Sequence, residues 1–381
     1  MIFLLIIITV LYLLLILALA FGFDKVEDFK VEDIKAKTKF SIIIPFRNEA
    51  ENLPELLASI SELKYLKSHY EFIFVDDDSS DDSVEIISKV LDKKFLNENF
   101  TRTDIKIINN VRVSKSPKKD AITSAIKIAK HDWIVTTDAD CVLPKFWLDT
   151  LDCFIQKKQP KMIVAPVTYH KINSFLKRFQ LLDFLSLIGA TIGGFGIGKP
   201  FLCNGANLAY KKELFLDLNG FDGNDEIASG DDIFLLQKAI KSNKSVVQFL
   251  KSKSAIVKTK AQPNIHALIS QRKRWAAKTS SYNSVFGKVV GLIVLLMNAA
   301  LVSSFTFVLF GLLQLKPLLY IFIIKSLVDF LLLFKTASFF KQEGQLSSFI
   351  FSSILYPFFS VYIAFISLFT KYKWKDRSFS K

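Results

Sequence analysis

Long apolar runs stand at both ends of the chain and frame a region of mixed composition. Residues 1–23 contain no charged side chain. About 20 apolar residues in a helix cross the ~30 Å hydrocarbon core of a bilayer, so this run predicts an N-terminal transmembrane anchor. A secretory signal is the alternative, but such signals usually begin with basic residues and carry a shorter apolar stretch.

The C-terminal region, residues 288–381, contains two further runs without charge that are long enough to span a bilayer. These runs are 289–315 and 344–370. A third stretch, 317–334, is apolar except for Lys325 and Asp329, which lie four residues apart on one helical face and can pair there. The sequence therefore predicts two to three C-terminal transmembrane helices followed by a basic tail.

Basic residues set the predicted orientation of the chain. Lysines follow the first anchor at positions 25, 30, 35, 37 and 39, and such flanks favour the cytoplasmic side. The sequence thus predicts a multi-pass integral protein of the cell membrane with residues 24–287 on the cytoplasmic side. Three later spans would place the basic tail outside, whereas its own lysines favour the inside, so the number of spans stays open between two and three.

Between the apolar ends, residues 24–287 alternate between strand and helix patterns. Continuous apolar runs such as FSIIIP and YEFIFV are typical of strands buried on both faces. The predicted strands are 40–45, 70–75, 105–108 and 133–136, and the predicted helices are 50–63, 83–91 and 120–129. This alternation predicts an α/β domain with a mostly parallel, Rossmann-like sheet, in which ligands bind beyond the carboxyl ends of the strands.

Composition limits the class of protein. Of the 381 residues, 51% are apolar, and 50 Lys and Arg face 36 Asp and Glu, which excludes a disordered chain. A polybasic lipid-binding adaptor would explain the net charge of +14 but not the acidic residues at the strand ends. The spacing of Cys141, Cys153 and Cys203 matches neither a zinc site nor a disulfide framework, which predicts reduced thiols.

Acidic residues directly follow two of the predicted strands. Asp76 and Asp77 come directly after the second predicted strand, where ligand contacts are expected, whereas Ser80 or Asp81 is suited to cap the next helix.

A pair of carboxylates separated by one small residue, Asp138-Ala139-Asp140, follows the fourth predicted strand. Two carboxylates placed in this way repel each other unless a cation neutralises them, and Mg²⁺ and Mn²⁺ prefer hard oxygen ligands. The spacing favours a divalent-metal site that also holds a diphosphate. Two solvated turn acids are the alternative.

Two further motifs lie closer to the C-terminal apolar runs. In Gly230-Asp231-Asp232, just before an apolar helix, one acid is suited to cap the helix and the other to act as a general base. The basic segment from Gln271 to Trp275 is suited to anionic lipid, but its tryptophan and glutamine equally suit the headgroup level or a polar pocket.

The four motifs, taken in order, resemble the membrane-bound members of glycosyltransferase family 2. The resemblance runs from about Phe40 to Trp275 and includes the segments SIIIPFRNEAENL and CNGANLAYKKELF. It implies a GT-A fold flanked by transmembrane helices, a nucleotide-sugar donor and a divalent metal, Mg²⁺ or Mn²⁺.

The resemblance also implies roles for individual residues. It implies nucleotide-sugar contacts for Pro45, Arg47, Glu49, Asp76, Asp77, Lys119 and Asp138, with Lys118 beside Lys119. It implies metal contacts for Asp138 and Asp140. It implies contacts to the acceptor or the diphosphate for Asn204, Gly205, Asn207, Gln271, Arg274 and Trp275. Asp232 aligns with the general base and Asp231 with the acid before it. The third motif reads Gly-Asp-Asp here, where the family usually has Glu-Asp or Thr-Glu-Asp, so the base is open between the two.

The function implied is an inverting transfer of a hexosyl or N-acetylhexosaminyl group in cell-envelope glycan synthesis. The expected partners are a UDP-sugar donor, a lipid, lipid-linked or growing glycan acceptor, and the membrane, with no nucleic acid. A membrane-anchored nucleotide-sugar binding scaffold without turnover is the alternative. The glycines in GGFGIGKP predict either a hinge near the site or close packing at the membrane surface.

Overall fold

The structure is a computed structural model that describes residues 2–92, 105–224, 229–279, 282–369, 372–374 and 377–379. The chain forms two compact units. The helical unit comprises Met1–Val26, Lys171–Leu202 and Ala261–Lys381, and the α/β unit comprises Glu27–His170 and Cys203–Lys260. The α/β unit is therefore discontinuous in sequence, whereas the pattern of residues predicts one continuous domain over 24–287.

The strands of both units, in chain order, have the following bounds. They are β1 Phe40–Phe46, β2 Tyr70–Asp76, β3 Ile105–Asn109, β4 Trp133–Thr136, β5 Met162–Val164, β6 Val167–His170, β7 Leu208–Lys211, β8 Val247–Phe249, β9 Val257–Lys260, β10 Tyr372–Trp374 and β11 Arg377–Phe379.

The helices include six in the α/β unit and six in the helical unit. In chain order they are α1 Ile2–Lys25, α2 Leu53–Ser61, α3 Ser83–Asp92, α4 Pro117–Ile128, α5 Trp147–Lys158, α6 Phe175–Gly196, α7 Lys212–Asp217, α8 Asp231–Asn243, α9 Ile265–Thr279, α10 Val285–Leu309, α11 Leu315–Phe340 and α12 Phe349–Phe369.

A seven-stranded sheet in the order β3-β2-β1-β4-β7-β5-β8 forms the centre of the α/β unit. Strand β1 pairs in parallel with β2 and β4, β2 pairs in parallel with β3, and β7 runs antiparallel to both β4 and β5. Strands β6 and β9 form a separate parallel pair. The mostly parallel α/β sheet predicted from the sequence is confirmed.

The burial of the strands explains why they can be predicted from the sequence. Phe40, Ile42, Ile43 and Ile44 of β1 are fully buried, because the helices that follow the strands cover both faces of a parallel sheet. The carboxyl ends of β1, β2 and β4 lie at one edge of the sheet, since these strands are parallel neighbours. At that edge, polar side chains can lie outside the buried core of the sheet.

The helical unit contains five helices that are long and apolar enough to cross a membrane, among the residues that the structure describes. They are α1, α6, α10, α11 and the segment Glu343–Phe369 that contains α12. Helix α6 is missing from the sequence prediction because Lys177, Arg178 and Asp183 interrupt its apolar run. The stretch 317–334 is a helix, and its Lys325 and Asp329 form the expected pair at 2.5 Å.

Glycines allow α6 to pack directly against α1. A Cβ atom on Gly193 would lie 2.2 Å from the carbonyl oxygen of Leu19, and one on Gly196 would lie 1.7 Å from that of Gly22. Small residues permit such close approach of membrane helices. Of the two predictions for the GGFGIGKP segment, the structure therefore shows close helix packing. The basic side chains of the predicted tail, residues 371–381, lie outside the described side chains.

Candidate functional site

The first part of the candidate site lies where β1 and β2 end. Asp77 is only 6% exposed, and its Oδ1 accepts hydrogen bonds from Arg112 Nε at 2.7 Å and Asn110 Nδ2 at 2.8 Å. Arg47 Nη1 donates to the backbone carbonyl of Asp77 at 2.8 Å. Charged hydrogen bonds of this kind fix an orientation, so Asp77 is held as a rigid acceptor at the strand end.

Neighbouring predicted residues have structural roles at this edge. Asp76 Oδ1 accepts the backbone N–H of Ser79 at 3.0 Å and shapes the turn after β2. Asp81 Oδ1 accepts the N–H of Ser83, the first residue of α3, at 3.1 Å; its side chain therefore binds the helix start, but the residue directly before the helix is Asp82, not the predicted Ser80 or Asp81. Pro45 lies in β1, paired with Val75.

The second part of the site joins three sequence motifs through Lys118, in the first turn of α4. Its Nζ lies 2.6 Å from Asp138 Oδ1 and 3.5 Å from Asp231 Oδ2. Asp232 Oδ2 accepts the backbone N–H of Gly205 at 3.0 Å. The acids after β4, the loop before β7 and the start of α8 therefore form one polar cluster, which we call the carboxylate cluster: Glu49, Lys118, Asp138, Asp140, Asp231 and Asp232.

Helix α8 presents both of its acids to the cluster from its first turn. Gly230 precedes the helix at φ 86°, a left-handed conformation that favours glycine. Neither acid is the N-cap residue, contrary to the expectation that one of them caps the helix. Asp232 Oδ1 instead accepts the N–H of Ile233 at 2.7 Å, so two backbone donors orient this carboxylate.

The charges of the cluster are unbalanced. Burial, together with the nearby charges of Asp138 and Glu49, raises the pKa of Asp140 to about 6. Burial by itself would lower the pKa of the Lys118 ammonium, but the charges of Asp138 and Asp231 outweigh it and raise that pKa. The cluster thus favours additional positive charge.

A divalent cation would supply the positive charge that the carboxylate cluster lacks. Mg²⁺ is usually held by one or two protein carboxylates together with substrate phosphates and water, rather than by a complete protein cage. Among the described residues, no group of three or more histidine, cysteine or acidic side chains is arranged to hold a metal. In a site of that kind, Asp138 and Asp140 would provide two hard oxygen ligands and a donor diphosphate would complete the set.

Other predicted residues support the cluster indirectly. Lys119 is 1% exposed, donates to the carbonyl of Asn224 and lies 4.8 Å from the ring centre of Phe234. The structure therefore places Lys118, not Lys119, among the carboxylates.

The predicted acceptor residue Asn207 is buried and held by the protein itself. It is 1% exposed, its Oδ1 accepts from Trp147 Nε1 at 3.0 Å, and its Nδ2 donates to two backbone carbonyls. Its geometry corresponds to a positioning residue for the loop, not to an acceptor contact. Asn204 Oδ1 accepts the N–H of Ala206 at 3.0 Å in the same loop.

Two family profiles match the chain. The one described as glycosyl transferase family 2 matches residues 41–218, and the one described as glycosyl transferase family group 2 matches residues 133–366, more than half of the chain. The chain belongs to glycosyltransferase family 2. The matched residues include every member of the carboxylate cluster.

Curated relatives of this family 2 chain include poly-beta-1,6-N-acetyl-D-glucosamine synthases. The protein of Staphylococcus aureus (strain COL) is 23% identical over 219 residues, which cover 56% of this chain and 48% of the relative. That of Staphylococcus epidermidis is 24% identical over 246 residues, which cover 62% and 53%. The chain thus spans about half the length of the curated relatives it matches.

A solved structure shares the fold. The mannosyltransferase PcManGT from Pyrobaculum calidifontis aligns with a TM-score of 0.57 and 15% identity over 92% of this chain and 97% of that one. The GT-A fold implied by the sequence resemblance is confirmed.

The last family 2 motif lies on α9, in the helical unit, where Arg272 organises it. Arg272 Nε lies 2.6 Å from Asp183 Oδ2, and both side chains are less than 10% exposed. The Arg272 guanidinium also lies 4.2 Å from the ring centre of Trp275 and donates to Gln271 Oε1. The predicted residues Gln271 and Trp275 are therefore held by one buried ion pair, and Arg274 is half-buried on the same helix.

Sequence reasoning missed three contributors to these contacts. Arg112 follows a strand without any motif, so only the folded loop shows its pairing with Asp77. The pairing of Asp183 could have been predicted, because Asp183 is an isolated acid inside an apolar helical stretch. Such residues are usually paired and functional. Arg272 lies within the motif from Gln271 to Trp275, but the motif implies roles only for Gln271, Arg274 and Trp275.

Proposed function

We propose that this protein is an inverting glycosyltransferase that moves a sugar from a nucleotide-sugar donor, a UDP-sugar, to an acceptor at the membrane surface. One observation carries the proposal: Lys118 contacts both Asp138 and Asp231. The acids suited to the donor diphosphate and the acids suited to proton removal therefore belong to a single site.

The donor contacts follow from the strand-end residues. We assign Asp77 to the nucleotide base, because its carboxylate is fixed by Arg112 and Asn110. Arg47, which lies beside Asp77 and Asp78, supplies positive charge at the donor edge. Asp138 and Asp140 would hold Mg²⁺ or Mn²⁺, and when bound, the ion supplies charge stabilisation to the donor diphosphate.

The transfer step requires a base beside the acceptor hydroxyl. Asp232 accepts the proton of that hydroxyl while the acceptor oxygen attacks the anomeric carbon. The bond from this carbon to the diphosphate oxygen breaks, and the nucleoside diphosphate leaves from the opposite face, which inverts the configuration. Positioned base catalysis contributes about two to four orders of magnitude, and the two backbone donors to Asp232 keep it aligned.

The acceptor follows from the membrane helices and the relatives. The curated relatives are named as synthases of a poly-N-acetylglucosamine, and the fold relative is named as a mannosyltransferase in complex with GDP-Man and Mn²⁺. The five candidate spans in the described part of the chain would tether the α/β unit to a membrane, and the lysines between Lys25 and Lys39 favour its cytoplasmic side. We therefore propose a lipid, lipid-linked or growing glycan acceptor at the membrane surface.

A donor screen tests the proposed activity. Membranes that contain the full chain are incubated with a panel of nucleotide sugars and Mn²⁺, and extracted lipids and glycans are analysed by mass spectrometry, with release of nucleoside diphosphate measured in parallel. The proposal predicts sugar transfer and release of UDP from at least one UDP-sugar, both abolished by EDTA. Tight UDP-sugar binding without transfer or hydrolysis would instead identify the binding scaffold.

A further inference from the structure

The position of Lys118 raises a question about how a metal reaches Asp138. The ammonium lies 2.6 Å from Asp138 Oδ1, and the Lys118 side chain is only 19% exposed. A metal ligand must offer a free, deprotonated oxygen. Because two positive charges held against one carboxylate repel each other, a divalent cation competes with the Lys118 ammonium for Asp138 whichever carboxylate oxygen it binds.

A second carboxylate already lies within reach of the same ammonium. Asp231 Oδ2 lies 3.5 Å from Lys118 Nζ, so a small rotation of the flexible lysine stem would shift the pairing. The space between them depends on Gly205: a Cβ atom there would lie 3.0 Å from Asp231 Oδ2 and 3.6 Å from Lys118 Nζ. A lysine ammonium suits this exchange, because it is a compact charge with rotatable donors on a flexible chain.

We propose that Lys118 is an exchangeable counter-ion, which pairs with Asp138 before a divalent cation binds and with Asp231 afterwards. The inference rests on the proposed function, because it takes Asp138 and Asp140 as the metal ligands. Its consequence is a link between the two halves of the site. Filling the metal position delivers a positive charge to Asp231, the residue next to the proposed base.

Binding of Mn²⁺ in the presence of saturating UDP, which supplies the diphosphate but no sugar to transfer, tests the exchange without any turnover when it is measured by titration calorimetry on the full chain in detergent. Lys118→Met removes the competitor, so we expect Mn²⁺ to bind at least tenfold more tightly, which corresponds to about 1.4 kcal/mol. Lys118→Gln provides the same test if the methionine variant does not fold. Lys127→Met is the matched control, since Lys127 is an exposed lysine on the same helix, and it should leave Mn²⁺ affinity unchanged.

A double-mutant cycle separates exchange from a general effect of charge. Asp231→Asn removes the second position for Lys118, so it should weaken Mn²⁺ binding in the wild-type background at least threefold more than in the Lys118→Met background. Equal effects in both backgrounds would overturn the exchange, as would unchanged or weaker Mn²⁺ binding by Lys118→Met.

Asp140→Ala distinguishes failure of the inference from failure of the proposed function. If this variant loses Mn²⁺ binding while Lys118→Met leaves it unchanged, the metal site stands and the exchange is wrong. If Asp140→Ala binds Mn²⁺ like the wild type, the proposed metal site is wrong and the exchange falls with it.

Discussion

Loss of the buried ion pair between Asp183 and Arg272 should destabilise the helical unit and displace the motif on α9. Both side chains are less than 10% exposed and their charged atoms lie 2.6 Å apart. Removing one partner of such a pair leaves an uncompensated buried charge, which typically costs about 3–5 kcal/mol. At roughly 2 °C or more per kcal/mol, Asp183→Asn should lower the midpoint of thermal unfolding by about 6 °C or more.

Arg272 also contacts Trp275 and Gln271, so the same substitution should change the motif as well as the stability. The assay is thermal unfolding of the detergent-solubilised full chain, followed by Trp fluorescence. Asp217→Asn is the control, because Asp217 is an exposed acid on α7 and its loss should shift the midpoint by less than about 1 °C.

A double variant identifies the buried charge as the cause. Asp183→Leu combined with Arg272→Met removes both charges, and apolar replacements of a buried pair are often neutral in stability. We therefore expect it to unfold at a higher temperature than Asp183→Asn. If Asp183→Asn unfolds like the wild type, or if the double variant is the less stable of the two, the ion pair does not hold α9 as described.

Three further predictions concern packing, donor binding and acid stability. Gly196→Leu should lower the midpoint of thermal unfolding by several degrees, because a Cβ atom at this position meets the backbone of α1. Gly291→Leu is the control and should leave the midpoint unchanged, because a Cβ atom there has no neighbour within 4 Å. Equal midpoints for the two variants would contradict the contact between α1 and α6. Arg112→Ala should weaken UDP binding about threefold to tenfold in calorimetry by loosening Asp77, and unchanged affinity would count against Asp77 as the base contact. Burial alone raises the pKa of Glu71, but its hydrogen-bond donors outweigh burial and lower this pKa in the folded protein. The ionised side chain therefore contributes about 2 kcal/mol of stability, which is present above the pKa of the unfolded chain and is lost as the pH falls through the pKa of the folded protein. Glu71→Gln should flatten this loss of stability at acid pH, measured by denaturant unfolding curves.

The central sheet was predictable because its strands are buried on both faces. A short, β-branched apolar run such as Phe40 to Ile44, bounded by a proline, is typical of a strand inside a covered parallel sheet, and the structure confirms this strand. The acids at the strand ends were predictable for the same reason, since parallel strands bring their carboxyl ends to one edge.

The pairing of side chains was less predictable, because it depends on distances that local patterns do not encode. Lys118 and Lys119 are adjacent in sequence, yet one contacts the carboxylates and the other is buried beside Phe234. The orientation of α4 decides between them. Helix α6 escaped prediction because Asp183 breaks the apolar pattern, although in the folded unit that charge is paired.

The division of the chain into units could not be inferred from composition either. The mixed composition of residues 171–202 predicts that they belong to the α/β domain, but they belong to the helical unit. Gly193 and Gly196 of this segment pack against α1, which precedes the predicted domain in the chain. Such a contact between distant segments leaves no periodic signal in either one.

The central claim is that one site binds the donor and removes the proton from the acceptor, with Asp232 as the base. Comparison of Asp232→Asn with the wild type tests it directly, by sugar transfer measured under saturating donor alongside the affinity for UDP and Mn²⁺. The account predicts that transfer falls by about two to four orders of magnitude while UDP affinity stays within about threefold. Transfer at the wild-type rate by Asp232→Asn would contradict it.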